Sequence, residues 1–194
     1  MRKRFLFSSL AVLLATTANP AAAQSDQRLK TIADDYWAYT LDQYPVFGSS
    51  LGVEDPQGRI SDASLEAADR RAQKAQTWLD QLDALDQQSL SEDDRTNFGI
   101  LRRTLAEQIE DNSYPQRVMN FTSYSAWHQN FAGMHNNLPF KKIADYRSYV
   151  ARLSQYGDMH SKNIAIANQA IAGGYMQPCA ALDGHAKTIS GLIA

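Results

Sequence analysis

The fold is decided by the stretch LEAADRRAQKAQTWLDQLDALDQQSLSEDDRTNFGILRRTLAEQI, residues 65–109. In its first half Leu65, Ala68, Ala72, Ala75, Trp78, Leu79, Leu82 and Leu85 recur every three or four positions. Arg70, Arg71, Lys74, Asp80 and Asp83 fall on the other side. That period is the amphipathic α-helix, and it predicts one helix over about 62–86. Ser91-Glu92-Asp93-Asp94 then supplies a capping hydroxyl followed by acids in a first turn, where the positive end of the helix dipole favours them. Phe98, Leu101, Leu105 and Ile109 carry the next stripe to about residue 111. Two long helices joined by a short polar turn pack side by side, so an antiparallel hairpin is the expected centre of the molecule.

Working outward, the same period governs the flanks. Leu29, Ile32, Tyr36, Trp37 and Leu41 predict a helix over about 25–44, ended by Pro45 because a proline disfavours helical geometry in the residue before it. Pro45, Gly48, Gly52, Pro56 and Gly58 make 45–60 an expected irregular loop. Tyr114-Pro115 marks an extended link within 112–122, and shorter helices are expected near 123–135, 143–155 and 158–172. Their inward stripes read as Tyr124, Trp127, Phe131 and Met134, and then as Ile143, Tyr146, Val150 and Leu153, while Gly173-Gly174 closes the third. Leu182, Ala186, Ile189 and Ile193 repeat at helical spacing to the end of the chain, which predicts a last helix there. No Val/Ile-rich alternating run competes, so the fold class is all-α: a long helical hairpin plus shorter packed helices.

Residues 1–23 follow a secretory pattern. Arg2, Lys3 and Arg4 precede an apolar stretch from Phe5 to Ala18, and Ala21-Ala22-Ala23 is a small-residue cleavage site. Cleavage after Ala23 would place the protein in the periplasm or outside the cell. The apolar stretch is shorter than the roughly 20 residues that span a bilayer, and Gln24 stands where a lipoprotein needs cysteine, so no stable membrane anchor is expected. Removing the leader takes three positive charges from a chain already at −2, which leaves no basic excess for a nucleic-acid partner. The single cysteine, Cys179, has no intramolecular partner and reads as a small buried apolar residue.

The search for chemistry returns little. No two histidines stand one helical turn apart with a glutamate between them, the pattern that aims two imidazoles at one zinc. His128 and His135 are about 10 Å apart in helical rise, and His160 and His185 stand alone in sequence. There is no G-x-S-x-G elbow and no phosphate-cradling glycine loop. Cys179 and His185 match no catalytic signature. Of the acid groups Asp34-Asp35, Glu54-Asp55 and Glu92-Asp93-Asp94, two sit where a solvated helix face or a helix start wants charge, so the three are not read as cation sites. Tyr39 lies off the main stripe of its helix and is the aromatic expected to be exposed. Catalytic, cofactor-binding and metal residues are therefore expected to be none.

Several pieces, taken in order, carry a resemblance. They are Ile32-Ala33-Asp34-Asp35-Tyr36-Trp37 leading to Tyr44-Pro45 and Ser50-Leu51-Gly52, then Asp93-Asp94-Arg95-Thr96-Asn97, then Asp145 through Leu153, and finally Ala170-Ile171-Ala172-Gly173-Gly174-Tyr175-Met176-Gln177-Pro178. Their order and spacing resemble the N-terminal portion of domain-of-unknown-function family 885 (DUF 885). The resemblance implies a larger, mostly helical, zincin-like metallopeptidase fold, with residues 24–194 as its N-terminal part, a zinc cofactor and a peptide substrate. The family's H-E-x-x-P-G-H type sequence matches nothing here. The expectation is thus a fragment of an exported zinc-dependent peptidase-like protein, inactive alone. The competing reading is a complete, non-catalytic periplasmic helical protein that binds a peptide or partner.

Overall fold

The computed structural model describes residues 20–193, excepting Pro56 and Ser123. Most of the expected leader lies outside the described residues; its last four residues form the first turn of helix α1 (Pro20–Gln43). Next come α2 (Pro45–Ser50), α3 (Leu65–Asp83), α4 (Glu92–Ser113), α5 (Trp127–Ala132), α6 (Ile143–Leu153), α7 (Tyr156–Ala172), α8 (Cys179–Leu182) and α9 (His185–Ile193). Among the described residues no strand is present, and one isolated antiparallel bridge joins Phe121 to Ala126. The fold is all-α, as expected. None of the described helices is long and apolar enough to cross a membrane.

The expected hairpin, α3 against α4, is the core. Leu82 and Leu105 are fully buried across it, and α1 lays Leu29 and Ile32 into the same cluster with Ala75, Trp78 and Phe98. Fully burying side chains of this size contributes roughly 1.5–3 kcal/mol each. The Trp78 ring takes the edges of Tyr36 and Tyr39, with centroids 5.7 and 5.3 Å away. Tyr39 is therefore not the exposed aromatic of α1. Trp37 is: it stands out of the core stripe, about half exposed, and forms a T-shaped pair with Phe47, 6.0 Å away.

Both hairpin helices start as their sequences dictate. The Ser64 hydroxyl accepts from the Ala67 amide and the Ser91 hydroxyl from the Asp94 amide, each at 3.2 Å, so each satisfies one amide that the helix itself cannot. Asp83 ties the hairpin from outside through Arg102, at 2.7 Å. Ser91→Ala is expected to cost about 1 kcal/mol, read as a lower urea midpoint with an unchanged slope.

Four further expectations are corrected. Pro45 does not open a loop; it occupies the first position of α2, where its missing N–H is no loss and its fixed φ suits the helix. The irregular segment begins only at Leu51. The last apolar repeat is not one helix: Gly184, at φ +86°, breaks it between α8 and α9. Cys179 is exposed rather than buried. The largest correction concerns α6. Its apolar stripe points outward, with Ile143 72% and Val150 64% exposed, and its polar stripe Asp145-Ser148-Arg152 is turned inward. The reason is the partner of that face, the segment 51–64, whose backbone carbonyls call for donors rather than for hydrocarbon.

Candidate functional site

The inward face of α6 and the segment 51–64 build a cleft around one guanidinium. The side chain of Arg152 is only 3% exposed. It donates from Nε to the Arg59 carbonyl (3.0 Å), and from Nη2 to the Ser49 hydroxyl (2.7 Å) and the Asp55 carboxylate (3.3 Å). Asp55, itself 7% exposed, also accepts the Arg59 amide at 2.6 Å. Arg59 reaches back to Asp42 at the end of α1, at 2.8 Å, and this bond holds the Asp42 carboxyl below the usual carboxylate range. Two arginines and two aspartates thus alternate from α1 to α6. A buried charge is tolerated when it is paired and hydrogen-bonded, and each buried member here is both.

The backbone is fastened as tightly. The Ser148 hydroxyl donates to the Asp55 carbonyl (2.9 Å), and the Gln155 amide donates to the Gly58 carbonyl (2.7 Å). Gly58 has φ +60° and lies so close to α6 that a Cβ would stand 2.3 Å from the Ser148 carbonyl oxygen. At the other end of the cleft Asp145 accepts the amides of Lys141 (2.8 Å) and Lys142 (3.1 Å), which starts α6 and keeps the Asp145 carboxyl below its ordinary pKa. Lys142 pairs with Glu54 across the mouth. The cleft offers about 360 Å³ and stays open to one side, a volume within the range of small-ligand pockets.

A second cluster gathers three of the four histidines. The Thr188 hydroxyl donates its one proton to the His185 carbonyl (2.8 Å), so His128 Nε2, 3.0 Å away, must be the donor to it. His128 Nδ1 then carries a lone pair that is buried without a partner, in a residue only 3% exposed. The Trp127 indole donates to His160 Nδ1 (3.1 Å), and His185 Nε2 meets the Thr122 carbonyl (2.8 Å). His135 stands apart and exposed, while Tyr124, read as inward from the sequence, is 85% exposed. Among the described residues no three His, Cys, Asp or Glu side chains are grouped so as to hold a metal ion. The cluster instead docks α9 on α5.

Burial lowers the pKa of His128, and repulsion from His185 and His160 lowers it further. The unfolded chain therefore takes up this proton first as pH falls. The stability that neutral His128 contributes is complete above the unfolded value near 6.5 and is lost as pH drops toward the folded value. Thermal unfolding from pH 8 to 5.5 should show this loss, and His128→Gln should show a shallower one; parallel curves would contradict the assignment.

None of the cleft's central residues was singled out as a site residue from sequence. The acid group Glu54-Asp55, which is no cation site by its sequence, divides between surface and interior. Glu54 stays at the surface and Asp55 is buried. A signal was present: Asp145, Ser148, Arg152 and Gln155 repeat at helical spacing, as regularly as the apolar stripe does.

The profile of the family described as "Bacterial protein of unknown function (DUF885)" matches residues 45–194, from α2 to the end of the chain and across the whole cleft. No curated protein and no solved structure matches the chain.

Proposed function

Because the chain belongs to the DUF885 family, we propose that it supplies the N-terminal helical share of an exported, zinc-dependent, peptidase-like protein and walls one side of its peptide-receiving cleft. The observation that carries the reading is α6. It turns a polar stripe inward to frame a 360 Å³ cleft and presents Ile143, Tyr146, Val150 and Leu153 outward beside it. An apolar stripe of that kind is a surface to be covered by further polypeptide or by substrate. Zinc hydrolysis requires three protein ligands and a base for the metal-bound water. The described residues hold no group that fits, so the reading assigns those groups to sequence beyond residue 194 and gives no step of the reaction to residues here. The role left to this chain is binding and positioning.

The test begins with the gene. Sequence downstream of codon 194 is expected to encode an H-E-x-x-type motif, and the product of the joined frame is expected to cleave peptides in a chelator-sensitive way. Absence of the motif, in frame or after one frameshift, together with no cleavage, would sink the proposal. Export is tested separately by mass spectrometry of the mature protein, whose N-terminus is expected at Gln24. The rival reading, a non-catalytic binding protein, draws on the same outward stripe of α6; it would be favoured by tight peptide binding without hydrolysis in the joined product.

A further inference from the structure

The geometry points to the cleft between residues 49–55 and α6 as a binding site for a peptide's C-terminal carboxylate with an apolar last side chain, and to Arg152 as the residue that receives the carboxylate. This goes beyond the peptidase reading and rests on the cleft alone, so it stands or falls whether or not zinc hydrolysis is found.

The argument starts from proton counting on Arg152. A guanidinium has five N–H donors. The one on Nε goes to Arg59, and the two on Nη2 are matched by Ser49 and Asp55. Nη1 is the one nitrogen of the group with no acceptor among the described residues, and Arg152 is one of the residues that line the cleft. Three bonds fix the plane of the group beforehand, which removes most of the entropy cost of aiming it at a ligand.

The rest of the lining selects among anions. Glu54, Asp55 and Asp145 all border the cleft, so a phosphate dianion meets three carboxylates there. A planar monoanion suits a guanidinium edge far better. Val53, Leu138, Pro139 and Ala144 supply an apolar wall, which bare acetate leaves unused and a terminal leucine side chain covers. Lys141 and Lys142 also border the cleft; Lys142 is held by Glu54, and Lys141 adds a positive charge that attracts the carboxylate. A cation is disfavoured, because Asp55 is already taken by Arg152 and Arg59, and Asp145 by the start of α6.

The test is calorimetric titration of the full chain with Ala-Ala-Leu, its C-terminal amide, acetate and inorganic phosphate. The free-acid tripeptide is expected to bind about tenfold or more tighter than the amide, since the amide loses a charge-assisted bond. Equal affinities would overturn the carboxylate assignment. Acetate as tight as the tripeptide would overturn the apolar half, and phosphate as tight would reduce the cleft to a bare anion site. Ala144→Phe fills the cleft from its exposed rim without touching Arg152. It is expected to abolish tripeptide binding with an unchanged unfolding midpoint, and retained binding would place the site elsewhere. Arg152→Lys, if folded, should lose the preference for acid over amide.

Discussion

Arg152→Met is expected to destabilise the protein by about 3–5 kcal/mol, the usual cost of removing one partner from a buried ion pair. Met fills similar space, so the loss is electrostatic rather than a cavity. Among the described residues the Asp55 carboxylate, 7% exposed, keeps only Arg59 as a partner, and the Ser49 hydroxyl and the Arg59 carbonyl lose the Arg152 donor. For a chain of this size each kcal/mol lowers the unfolding midpoint by about 2–4 °C, so a drop of roughly 10 °C is expected. Arg152→Met with Asp55→Asn removes the orphaned charge as well and should recover part of the loss; additive effects would show that the two groups are not coupled. Arg152→Lys keeps a charge but cannot offer three donors in one plane, so it should fall between wild type and Met.

Gly58→Ala is expected to cost about 3 kcal/mol and to lift residues 51–64 from α6. Two effects add. The left-handed φ of +60° strains any residue with a Cβ, and the added carbon would stand 2.3 Å from the Ser148 carbonyl oxygen and 2.8 Å from Ala151 Cβ. Neither neighbour is the tip of a flexible side chain, so the segment itself must move. Gly52→Ala separates the two effects. Gly52 also has a positive φ, +90°, but meets nothing within 4 Å, so its substitution should cost only the conformational part, about 1–2 kcal/mol. Equal losses at both positions would mean that close approach to α6 contributes nothing.

The hairpin was legible because most of what forms it is local and agrees: the Leu82 and Leu105 period, the Ser91 cap and the acids after Ser91; the start of α3, at Leu65 behind the Ser64 cap rather than near 62, differs. The cleft was not legible, for two reasons. Asp55 and Arg152 are 97 residues apart, and no spacing rule links them. On α6 two stripes share one period, and habit puts the apolar one inside. Which stripe faces in depends on the partner, and here the partner is a loop with free carbonyls rather than a helix with leucines. The histidines follow the same rule. His128, His160 and His185 read as unrelated in sequence and meet only because α5, α7 and α9 converge. Trp37 and Tyr39 sit two residues apart on α1, and Trp78 takes the second, which the helix's own period did not favour.

The central claim is that one buried guanidinium fastens residues 51–64 to α6 and so builds the cleft. Native-state amide hydrogen exchange reads it residue by residue. In the wild type the Arg59 amide, bonded to Asp55, and the Ile60 amide, bonded to Gln155, should be protected. In Arg152→Met the Arg59 amide should lose that protection, while amides of the Leu82–Leu105 core stay slower than both. A wild-type Arg59 amide that exchanges as freely as that of exposed Gln57 would contradict the account.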